Sequence, residues 1–89
     1  MFKLQRVAPR YFEFEVEGRE GKHRIVAVDS ISQEDLDAYI DAAEKGNTAI
    51  NRWARDLFER ECPGAIEGLT AREFNDLLTA WRDGADLGE

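Results

Sequence analysis

The stretch Leu69-Thr70-Ala71-Arg72-Glu73-Phe74-Asn75-Asp76-Leu77-Leu78-Thr79-Ala80-Trp81 decides how this chain folds, because it carries both the start signal and the buried stripe of one amphipathic helix. Thr70 sits where a cap accepts from the backbone three residues on, Glu73 reaches back to the Thr70 amide, and Leu69 faces Phe74 as a hydrophobic staple. Phe74, Leu77, Leu78 and Trp81 recur at i, i+3, i+4 and i+7, the face of a half-buried helix. Gly84 is the expected stop.

Upstream, the same grammar opens a first helix at Ile31-Ser32-Gln33-Glu34-Asp35-Leu36. Ser32 caps, Asp35 answers it less well than a glutamate, and Ile31 staples to Leu36. Leu36, Tyr39, Ile40 and Ala43 form the expected buried stripe, and Lys45-Gly46 supplies a favourable last-turn charge and a terminator. A second helix starts at Asn47 or Thr48 and gathers Ile50, Trp53, Ala54, Leu57 and Phe58 on one face. Cys62-Pro63-Gly64 ends it, and a short turn follows with Ile66 pointing inward.

Further upstream still, Tyr11 to Glu17 alternates strictly, with Phe12, Phe14 and Val16 on one face and three glutamates on the other, as a half-buried strand does. Gly18-Arg19-Glu20-Gly21 turns the chain, and Lys22 to Val28 returns as a second strand. A two-stranded hairpin is marginal alone in water, so its apolar face must pack on the helices. The expected fold is α+β, an N-terminal two-stranded β-hairpin packed on three amphipathic α-helices in one domain over residues 11–89. Residues 1–10, with Phe2, Leu4 and Val7 among Lys3, Arg6 and Arg10, and with Pro9 breaking any ladder, read as a flexible or edge-lying arm.

With 89 residues and 43% hydrophobic content, the chain supports one small core. Stability on the order of 5 kcal/mol follows, which leaves self-association open as a further contribution. The formal charge of −7, from 19 Asp and Glu against 12 Lys and Arg, repels nucleic acid and anionic lipid and favours protein partners. One cysteine permits no internal disulfide, and no leader or long apolar run is present, so the expected setting is intracellular and soluble.

Catalytic chemistry is thin. His23, the only histidine, lies between two cations on a strand and reads as a solvated side chain. Cys62 is flanked by Glu61, which raises a thiol pKa, and reads as a small apolar residue at a helix end. Asp35, Asp37 and Asp41 lack calcium-loop spacing, and the Gly18–Gly21 turn lacks the ending of a phosphate loop. Arg52, Arg55 and Arg60 are offset by neighbouring acids, so a DNA-recognition helix is disfavoured. No enzyme, cofactor or metal site is expected.

From Phe12 onward the arrangement resembles the tail assembly chaperones of long-tailed bacteriophages and prophages. The resemblance rests on the hairpin Phe12-Glu13-Phe14-Glu15-Val16-Glu17-Gly18, the acidic helices, and the closing leucine and phenylalanine helix that ends Ala80-Trp81, followed by Gly84 and Leu87-Gly88-Glu89. The link Asp29-Ser30-Ile31 and the Cys62-Pro63-Gly64 break depart from the family's pattern. The resemblance implies a non-catalytic protein of the host bacterial cytoplasm, outside the mature virion, that coats the tape-measure protein and keeps it soluble. It also implies a longer frameshifted product with its junction near Gly88-Glu89.

Two other classes compete: a small regulator or antitoxin-like binding module, and a head-tail connector-like structural subunit. For partner binding, the expected apolar contacts are Trp81, Leu78 and Leu87 at the end of the last helix, with Phe2 and Leu4 of the arm.

Overall fold

The computed structural model describes residues 1–83, ordered as two strands, a 3-10 turn at Val28–Ser30 and three helices. Strand β1 (Tyr11–Phe14) pairs antiparallel with β2 (His23–Val26), Phe12 opposite Ile25 and Phe14 opposite His23. The alternation predicted from sequence is obeyed: Phe12 and Phe14 are buried and Tyr11 and Glu13 exposed. Both strands are shorter than the alternating runs that contain them. Helices α1 (Gln33–Lys45), α2 (Asn47–Glu61) and α3 (Ala71–Asp83) follow. The fold is α+β.

Helix α2 is the central element. Its Phe58 ring meets Phe14 of the hairpin at 5.9 Å, Phe74 of α3 at 5.6 Å and Trp81 of α3 at 5.5 Å between centroids. Offset and edge-on ring pairs at these distances are favourable beyond their buried area. Trp81, Phe12, Phe58 and Ile25 are the largest fully enclosed side chains. The Trp81 indole N–H donates to the Val26 carbonyl at 2.9 Å, which satisfies its polar atom and locks α3 to β2.

On the other side of α2 lies α1, joined to it through Gly46 alone. Gly46 has φ +114, a backbone that other residues adopt only with strain. The reversal makes an antiparallel helix pair, held by Tyr39 against Trp53 at 5.1 Å and by Arg60, which donates to both oxygens of Asp35 at 3.1 and 2.7 Å.

This pairing corrects the expected stripe of α1. Tyr39 and Leu36 are half-buried and Ala42 is buried, while Ile40 and Ala43 are exposed. The contact face centres on Tyr39, and Ile40 lies one residue, about 100°, further round.

The helix starts follow their sequence signals. Ser32 Oγ accepts from the Asp35 amide at 3.1 Å. At α3, the Glu73 amide donates to Thr70 Oγ1 at 3.1 Å and the Thr70 amide to Glu73 Oε1 at 2.8 Å, a complete capping box. In the turn between α2 and α3, Ala65 is the buried residue and Ile66 is only half-buried.

A tie that no periodicity announces comes from Arg19 in the hairpin turn. Its guanidinium donates to the Ala65 carbonyl at 3.1 Å and to the Glu67 carbonyl. A Cβ at Gly68 would stand 3.2 Å from its Nη2, so the glycine lets the arginine lie close to that loop.

Candidate interaction surface

Residues 1–10 form no regular element and every one of them is exposed. Phe2, Leu4 and Val7 are 84%, 70% and 83% exposed. The arm leaves the body at a defined point. The Arg10 amide donates to Ser30 Oγ at 3.0 Å, its carbonyl accepts from the Ala27 amide at 2.8 Å, and its guanidinium pairs with Asp29 at 3.2 Å. Four of the six exposed large hydrophobic side chains among the described residues, Met1, Phe2, Leu4 and Val7, lie in this arm, and it is the grouping of such side chains that marks a contact surface.

The predicted contact residues divide. Phe2 and Leu4 stand free, whereas Trp81 and Leu78 are 1% and 5% exposed. The expectation that the end of α3 presents them to a partner is therefore corrected. Trp81 packs between Trp53 at 6.1 Å and Phe58, with its N–H on Val26, and a helix that ends against a hairpin buries even its last aromatic. Leu87, the expected stop at Gly84 and the Gly88-Glu89 junction lie outside the described residues.

A second surface was not foreseen. Between the hairpin and α3 runs an open groove of about 290 Å³. Its apolar lining is formed by Phe14, Val16, Leu69 and Leu77, and its acidic lining by Glu15, Glu17, Glu73 and Asp76, with no Lys or Arg. Just beyond the end of β1 the chain supplies Glu15, Val16 and Glu17 to one wall of the groove, and α3 supplies Glu73, Asp76 and Leu77 to the other. The clue lay in the sequence, but only the docking of hairpin on helix brings these two acidic-apolar runs together.

The weaker chemical candidates resolve into structural roles. His23 is half-buried with its ring 5.3 Å from that of Phe14, so it is a packed strand residue rather than a solvated one. The Cys62 thiol is buried and donates to the Arg24 carbonyl at 2.9 Å. Burial pushes its pKa up, and the Glu61 charge adds to that, so it is a weak nucleophile at neutral pH.

Asp35 is committed to Arg60 and Asp41 to Lys45 at 3.1 Å. Among the described residues no cluster of three His, Cys, Asp or Glu is placed to hold a metal ion, and no helix is long and apolar enough to cross a membrane. Arg52 and Arg55 share their groove on α2 with Asp56 and Glu59, which breaks up the cationic field a nucleic-acid surface needs.

No protein-family model, no curated protein and no solved structure matches this chain.

Proposed function

We propose that this chain is a non-catalytic tail assembly chaperone, which binds the tape-measure protein of a phage or prophage and keeps that long protein soluble. The observation that carries the reading is the exposed arm, which presents Phe2 and Leu4 beside Lys3 and Arg6. The resemblance of residues 12–89 supplies the identity of the client.

Magnitudes favour a weak, repeated contact. Ordering six arm residues costs roughly 6–12 kcal/mol of backbone entropy, while burying Phe2, Leu4 and Val7 returns roughly 5–9 kcal/mol. One arm therefore binds marginally and releases readily. Many copies along one long client hold it through their number, and the acidic bodies keep the coated complex dispersed.

The test is co-expression with a long helical tape-measure protein, scoring how much of the long protein stays soluble and co-purifies. Rescue that is lost in Phe2→Ser/Leu4→Ser, with the circular dichroism of that variant unchanged, is the expected result. An insoluble long protein beside a well-folded chain overturns the reading. A stable ring of fixed stoichiometry would favour the connector class instead, and salt-sensitive retention on DNA the regulator.

A further inference from the structure

We propose that the groove between the hairpin and α3 receives the arm of a second copy of this chain. Charge is the first argument. Residues 1–10 carry Lys3, Arg6 and Arg10 and no acid, whereas the rest of the chain holds all 19 Asp and Glu against the remaining nine Lys and Arg. A body of that sign repels another body but attracts another arm.

Chemistry and size are the second argument. Phe2-Lys3-Leu4-Gln5-Arg6-Val7 mixes apolar and cationic side chains, and the groove pairs apolar Phe14, Val16, Leu69 and Leu77 with the carboxylates of Glu15, Glu17 and Asp76 and with Glu73, which also holds the Thr70 amide. At about 290 Å³ it lies at the lower bound of small-molecule sites. It suits one or two side chains of an extended segment, with the cations of that segment reaching the carboxylates on the rim.

The direction of the arm selects a second molecule. The three bonds at Arg10 fix the exit beside Ala27, Asp29 and Ser30, and the groove lies at the opposite end of β1, at Phe14 and beyond. An arm entering its own groove would have to reverse at Pro9 and run back along the whole strand. Arm and groove are different patches, so two copies exchange arms reciprocally in a closed dimer or pass them head-to-tail in a longer assembly, and the masses at sedimentation equilibrium tell the two apart. The contact does not depend on the identity of any client.

The experiment is sedimentation equilibrium of the full chain across a wide concentration range, at low and high salt. The wild type should self-associate at low salt and dissociate as salt screens the pairs. Lys3→Glu/Arg6→Glu and, separately, Glu15→Lys/Glu17→Lys should each weaken association by about tenfold or more. All four positions are exposed, so the fold should be kept, as circular dichroism will verify.

An equimolar mixture of the two variants should associate again, because each then offers an arm opposite in sign to the other's groove. A wild type that stays monomeric at every concentration overturns the proposal, as does a mixture that fails to recover. A spin label on the arm that broadens Leu77 of its own molecule at high dilution would place the arm in cis and also overturn it. Loss of self-association in Glu15→Lys/Glu17→Lys, which leaves the arm unchanged, with client rescue intact separates this contact from the proposed chaperone activity.

Discussion

Trp81 and Phe2 are both large aromatic side chains near an end of this chain, yet one is 1% exposed and the other 84%. Trp81 sits on a helix that the capping box at Thr70 aims at the hairpin, where Phe58, Trp53 and the Val26 carbonyl are already in place. Phe2 lies seven residues before Pro9 on a segment whose last anchored residue is Arg10. The difference teaches that burial belongs to an element with a partner surface, and that an apolar side chain without such an element remains available for other molecules.

The sharpest way to break this contrast is Trp81→Ala. Removing the indole should cost about 3–5 kcal/mol, most of the stability on the order of 5 kcal/mol expected for a domain of this size. Urea titration followed by circular dichroism should show a large fall in the midpoint or a chain unfolded from the start. A variant as stable as the wild type would return Trp81 to the surface.

Next in size is Thr70→Ala, which leaves the Glu73 amide without its acceptor and should lower stability by about 1 kcal/mol in the same titration. A neutral result would mean that packing of Phe74, Leu78 and Trp81 alone sets the start of α3.

Asp35 offers a pH test within the body. Hydrogen bonds from Arg60 hold its carboxyl below the ordinary range against the opposing effect of burial. The folded value is the lower one, so this stabilisation is present above the unfolded carboxylate range near ~3.9 and is lost as pH falls through the folded value. Arg60 is half exposed, so Asp35→Asn should cost less than about 1 kcal/mol at neutral pH, and the difference from wild type should shrink in acid. A constant difference would assign the effect to the Ser32 cap region instead of the ion pair.

The smallest effect on folding belongs to Phe2→Ser. It should change stability by less than about 0.5 kcal/mol in calorimetry while weakening capture of the proposed client. A clear fall in the melting temperature would show that the arm packs on its own body after all.

Much of the body was legible because its signals are local. The alternation of Phe12 and Phe14, the Ser32 and Thr70 caps, the glycine at 46 and the Pro63-Gly64 break each act within a few residues of where they are written. Helix α1 was misread by one residue because periodicity gives an apolar face but not the centre of the contact, which Arg60 and Trp53 on α2 decide. The partner surface was half legible. Exposure of Phe2 and Leu4 follows from the lack of an element around them, but the burial of Leu78 and Trp81 depends on how far the hairpin reaches along α3.

The sequence by itself determined the order of strand, strand and three helices, and the separation of a basic arm from an acidic body, since backbone preference, capping and charge are properties of neighbouring residues. Only the tertiary structure decided that Trp81 closes the core, that Arg19 ties the hairpin turn to the loop after α2, and that Glu15, Glu17 and Asp76 rim one groove. Those contacts join residues dozens of positions apart, and no local preference records which faces meet when the hairpin settles on its helices.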